Sequence, residues 1–148
     1  MTKADKAKEL FLKGYNCSQA VFGAFCEDFG IDFSLGVKIS SGFGGGFARR
    51  REVCGAVSGA VMVLSLLHGY TDAEAKEEKI KLYEEVRGVL ADFEKEVGSI
   101  VCRELLGLEE KISSPVPEER TKKYYEKRPC AEIVYTAAKF VEEHIAKL

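Results

Sequence analysis

The stretch Val53-Cys54-Gly55-Ala56-Val57-Ser58-Gly59-Ala60-Val61-Met62-Val63-Leu64-Ser65-Leu66-Leu67 carries no charged residue over 15 positions. A bilayer span needs about 20 apolar residues, so the segment predicts a buried helix and no membrane span. From Cys54 to Leu67 it is apolar on every side, the pattern of a helix at the centre of a core. Gly55 and Gly59, with Ala56 and Ala60, place small residues four apart on one face, where another helix can approach closely.

Working outward, Ser40-Ser41-Gly42-Phe43-Gly44-Gly45-Gly46-Phe47 holds too many glycines for regular structure and predicts a tight loop. It has no Gly-Lys-Ser/Thr ending and follows no strand, which argues against a phosphate loop or a dinucleotide fingerprint. Farther back, Thr2 to Asp5 is a capping-box pattern for a first helix that stops at Gly14. Asn16-Cys17-Ser18-Gln19 repeats it for a second helix that stops near Gly30. Ser34 caps a short helical turn through Ile39.

On the other side, Thr71-Asp72-Ala73-Glu74 predicts the cap of the longest helix. Its apolar stripe is Ile80, Tyr83, Val86, Leu90, Phe93 and Val97, and such a stripe suits a core or a homodimer. Ser99 caps a further helix with Cys102 at its third position, ending at Gly107. Glu109 to Arg128 reads as a connection, and Pro129 opens a terminal amphipathic helix with Cys130 next. No run alternates as a strand does. The expected fold is all-α, a single-domain bundle of five or six helices over residues 1–148.

At 148 residues the chain can bury roughly 68–70% of its unfolded surface without staples. Lys and Arg number 22 against 24 Asp and Glu, so no basic excess points to nucleic acid, despite Tyr124 and Tyr125 among lysines. Five cysteines behind a polar, charged N-terminus do not look like an extracellular disulfide framework, and a cytoplasmic, reduced setting is expected.

Cys17, Cys54, Cys102 and Cys130 each fall within about one turn of a predicted helix start, and each belongs to a different helix. A helix N-terminus offers unpaired N–H groups and the positive end of the macrodipole, which favour thiolate over thiol. Basic runs reinforce this: Arg49, Arg50 and Arg51 precede Cys54, and Lys122, Lys123, Lys127 and Arg128 precede Cys130. The gaps between the four are 37, 48 and 28 residues, with no Cys-x-x-Cys, so neither a thioredoxin motif nor a zinc ribbon is present. Cys26, mid-helix beside Phe22, Phe25 and Phe29, reads as core.

These residues resemble the C_GCAxxG_C_C family of redox-active proteins, named for four cysteines around a Cys-Gly-Ala-x-x-Gly motif. The motif stands here as Cys54-Gly55-Ala56-Val57-Ser58-Gly59, with Cys17 before it and Cys102 and Cys130 after it. The resemblance covers nearly the whole chain and implies cytoplasmic bacterial or archaeal proteins whose four family cysteines carry the function. Cys26 lies outside its pattern.

Three functions fit. In the first, thiol–disulfide chemistry, Cys54 attacks, because it has the nearest basic run and glycines clear room beside it, and another family cysteine resolves. The partner is then a redox protein or a small-molecule substrate. In the second, Cys17, Cys54, Cys102 and Cys130 ligate zinc or, preferably, an iron–sulfur cluster. In the third, the protein is a helical interaction module and the cysteines only pack its core. His68 and His144 read as cap and surface residues, and Glu77, Glu78, Glu84 and Glu85 as a solvated helix face.

Overall fold

The computed structural model describes residues 1–109 and 112–148, and among them the regular structure is entirely helical. The helices are α1 (Lys3–Leu12), α2 (Cys17–Phe25), α3 (Phe33–Ser40), α4 (Gly55–His68), α5 (Lys76–Val97), α6 (Cys102–Leu105), α7 (Lys122–Lys127) and α8 (Cys130–Ala146). Eight helices replace the expected five or six because the turn expected from Ser34 to Ile39 is a two-turn helix, α3, and because α7 is added. α7 lies inside the stretch read as a connection, capped by the Thr121 hydroxyl, which accepts from the Tyr124 N–H.

Both N-terminal capping boxes form. Thr2 and Asp5 close α1, and Asn16 and Gln19 close α2. Other starts differ from the sequence reading. α3 begins behind Asp32 rather than Ser34, and α5 begins behind Ala75 rather than at Thr71. The Asp72 carboxylate accepts from the Glu74 N–H at 2.9 Å, so the polar run folds into a turn ahead of the helix. Before α6, Ser99 Oγ accepts from the Val101 N–H, which leaves Val101 as the cap and moves Cys102 to the first helical position.

α4 runs through the middle of the buried cluster, with Ala56, Val57, Ala60, Val63 and Leu64 inside it. Its small face works as the spacing predicts. A Cβ on Gly59 would stand 2.9 Å from Ser18 O and 3.0 Å from Val21 Cβ, so only glycine lets α2 lie this close. A Cβ on Gly55 would meet Cys17 Cβ at 3.2 Å. The two motif glycines therefore set the distance between the helix that follows Cys54 and the helix that begins with Cys17.

The stripe of α5 is only partly as read. Leu82, Val89 and Phe93 are buried and Val86, Leu90 and Val97 pack at the margin, but Ile80 and Tyr83 are about half exposed. At 22 residues α5 is roughly 33 Å long, and its first turns outrun the 14-residue α4 beneath it.

The glycine-rich segment becomes a left-handed turn. Gly45, Gly46, Phe47, Ala48 and Arg49 are consecutive residues at positive φ, and Arg51 follows at 61°. Each non-glycine residue there costs about 1–2 kcal/mol, offset by a net of main-chain bonds: Ala48 N to Gly42 O, Arg51 N to Gly45 O, Glu52 N to Gly46 O and Ser113 N to Arg49 O. Gly46 is the tightest point, at φ 70° with a would-be Cβ 2.6 Å from Glu52 N. We expect Gly46→Ala to lower stability by about 3 kcal/mol, summing left-handed strain and displaced backbone. Urea unfolding checks this, and a change within about 0.5 kcal/mol would mean the turn is not held as described.

Candidate functional site

Each family cysteine begins a helix. Cys17, Cys102 and Cys130 occupy the first positions of α2, α6 and α8, and Cys54 is the cap residue of α4. Two local devices bring three of them together. Val53 and Val101 form an antiparallel bridge, with Cys54 N donating to Ile100 O at 2.7 Å and Cys102 N to Glu52 O at 2.6 Å. The close α2–α4 contact at Gly55 supplies Cys17. The four thiols then line one cavity of about 240 Å³. Cys26 stays apart, fully buried against Gly36 as expected of a core residue.

Asn16 anchors one wall. Its Oδ1 accepts from Gln19 N at 3.0 Å and lies 2.8 Å from Ser18 Oγ, while its Nδ2 donates to Ser41 O at 2.9 Å. One side chain thus caps the helix of Cys17 and ties it to the glycine turn. Asn16→Ala is expected to cost about 2 kcal/mol, above the usual cap penalty of about 1 because the tie is lost too. Thermal or urea unfolding measures this, and an unchanged stability would remove Asn16 from this role.

The thiols differ sharply in their electrostatics. Cys130 is lowered from the ordinary thiol value, first because the adjacent Cys17 thiol hydrogen-bonds its thiolate and then because Arg128, Arg120 and Arg51 are near, with burial opposing. Cys17 is raised by the same partnership, then by its own burial. Burial pushes Cys54 up from 9.0 to about 12, although the N–H groups of Val57 and Ala56 at the start of α4 favour its thiolate. Cys102 is raised by burial, with the Arg51 guanidinium opposing.

The basic runs divide. Arg49, Arg51 and Arg128 line the cavity, while Arg50 is exposed beside Glu52. Arg51 Nη1 reaches Cys102 Sγ at 3.7 Å, so its charge serves a cysteine distant in sequence rather than Cys54. Sequence reasoning missed Arg120 and Tyr124, which also line the cavity. Arg120 stands over the Phe11 ring, 4.2 Å from its centroid, in a stretch with no motif to mark it.

A second cluster corrects the reading of the histidines and the solvated face. Glu85 Oε2 lies 2.7 Å from His68 Nδ1 and 3.2 Å from His144 Nε2, and the Glu85 side chain is 7% exposed. α4, α5 and α8 each contribute one residue to it, which no local pattern could reveal. Among the described residues no three Cys, His, Asp or Glu side chains gather closely enough to hold one metal ion. Among the same residues, no helix is long and apolar enough to cross a membrane.

The model of the family described as "Putative redox-active protein (C_GCAxxG_C_C)" matches residues 15–144. No curated protein and no solved structure matches the chain.

Proposed function

Because the chain belongs to the C_GCAxxG_C_C family of redox-active proteins, we propose that it performs thiol–disulfide exchange with Cys130 as attacking thiolate and Cys17 as resolving thiol. The observation that carries this reading is the pairing itself: one sulfur lowered, its neighbour raised, both at helix N-termini. Cys54, the attacker favoured by its basic run in sequence, gives way to Cys130 because burial keeps it a thiol near neutral pH.

The Cys130 thiolate attacks one sulfur of a substrate disulfide. A mixed disulfide forms and the other half leaves as a thiolate, which takes a proton from water. That step removes the negative charge beside Cys17, the first cause of its raised value, so Cys17 now ionises more readily at the head of α2. Cys17 Sγ then attacks Cys130 Sγ and expels the second substrate thiolate. One substrate disulfide is reduced to two thiols, and two protein thiols are oxidised to one disulfide. An external dithiol restores the starting state by the reverse exchange.

The test is alkylation of the reduced protein across pH, with modified peptides identified by mass. Cys130 is expected to react first. Its rate should rise with pH and level off below the ordinary thiol range, because only the thiolate reacts and its proton is lost early. Metal and sulfide analysis of anaerobically purified protein accompanies it. Stoichiometric iron with sulfide, or Cys54 reacting ahead of Cys130, would overturn the proposal.

A further inference from the structure

The cavity is more positive than its thiols require. Among the described residues Arg49, Arg51, Arg120 and Arg128 line it against one carboxylate, Glu118. That carboxylate is already shared, since Arg49 Nη2 lies 3.7 Å from Glu118 Oε1 and Arg128 pairs with the same oxygen. Arg51 and Arg120 have no carboxylate partner among the described residues.

Arg51 is the sharper case. It is 6% exposed, and its contacts are Ser113 Oγ at 3.0 Å from Nε and Cys102 Sγ at 3.7 Å from Nη1. Arg120 commits its terminal nitrogens to the Phe11 and Tyr15 carbonyls at 3.0 and 3.1 Å. Arg49 Nε is buried with no hydrogen-bond partner among the described residues. A guanidinium taken out of water is costly unless an opposite charge meets it. The described residues supply too few such charges here, and the strained turn that carries Arg49 and Arg51 holds both against the cavity.

We infer that this cavity is an anion site beside the thiols, and that the disulfides it reduces are small ones bearing carboxylate or similar anionic groups. The substrate half of this rests on the exchange reading above, whereas the anion site does not. At about 240 Å³ the cavity is below the roughly 300–1,000 Å³ of pockets that hold drug-sized ligands, so the occupant is small. The substrate's charge is not consumed. It steers the disulfide inward and holds it while Cys130 attacks one sulfur and the leaving half departs as a thiolate, as written above.

Two measurements on the reduced protein test this. The first compares three disulfides of similar length, anionic dithiodipropionate, neutral hydroxyethyl disulfide and cationic cystamine, each rate divided by that of a free small thiol. The normalised rates should fall in that order, with about a ten- to hundredfold advantage for the dianion over the dication, shrinking as salt is added. The second compares iodoacetate with iodoacetamide at Cys130 and needs no exchange chemistry. The normalised preference should favour iodoacetate, and Arg49→Gln should reduce it. Exchange that proceeds with equal normalised rates, and no iodoacetate preference, would overturn the anion site while leaving the exchange reading standing. An iodoacetate preference with no reduction of any disulfide would overturn the exchange reading and leave the anion site.

Discussion

Replacing Cys130 with serine is expected to abolish reduction of a small disulfide, a fall of roughly three orders of magnitude or more. The size follows from the chemistry. A serine hydroxyl is not ionised near neutral pH, Cys54, Cys102 and Cys26 are raised by burial, and Cys17, although it loses the Cys130 thiolate that raises it most, is still raised by its own burial. None of them is lowered as Cys130 is, and Cys17 then has no thiol partner beside it to resolve a mixed disulfide. Cys17→Ser should behave differently. The first attack proceeds, one substrate half is released, and the protein stops as a mixed disulfide at Cys130, detectable as a stable mass addition. Full turnover by Cys130→Ser would show that another cysteine attacks. Loss of activity in both variants with no trapped adduct in Cys17→Ser would break the assigned order of steps.

The second large effect is on stability in alkali. Cys54 has a folded value raised from the ordinary 9.0 to about 12 by burial. A group whose value is raised on folding contributes stability that is fully present below its unfolded value and is lost as pH rises through the folded one. For Cys54 the window is about pH 9 to 12. Three units at about 1.36 kcal/mol each amount to about 4 kcal/mol, set against a typical total of about 5–15. Urea unfolding of the reduced protein should weaken steeply across this window. Because lysines and tyrosines titrate there as well, the informative quantity is the difference from Cys54→Ala, whose curve should lack this part of the slope. Parallel curves for the two proteins would mean that the Cys54 thiol ionises in the fold as freely as in the unfolded chain. Cys130 acts with the opposite sign, adding stability above its ordinary value that is lost as pH falls through its lowered one.

Local rules explain why much of this was legible. The boxes Thr2/Asp5 and Asn16/Gln19 involve partners three residues apart, so their residue types alone identify the helix starts. The same locality put four cysteines at helix N-termini before any contact was known. Where two local solutions compete, sequence chose wrongly. Asp72 closes a turn on Glu74 rather than capping α5, and Ser99 serves Val101 so that Cys102 becomes the first helical residue.

What sequence could not supply was tertiary. The convergence of the cysteines depends on the Val53–Val101 bridge and on contacts at Gly55 and Gly59. Arg51 meets a cysteine 51 residues away. In the proposed reading burial reverses the ranking of Cys54 and Cys130, since the arginine nearest in sequence matters less than removal from water. Nothing in the mixed-charge run marked Arg120, and the Glu85 contacts with His68 and His144 join three helices.

The most direct measurement exposes the fully reduced protein to one equivalent of a small disulfide, quenches with acid and maps cross-linked peptides by mass. A single new linkage is expected, between the Cys17 and Cys130 peptides, with two small thiols released per bond formed. A Cys54–Cys102 linkage in its place, or two small thiols released with no intramolecular bond, would contradict it.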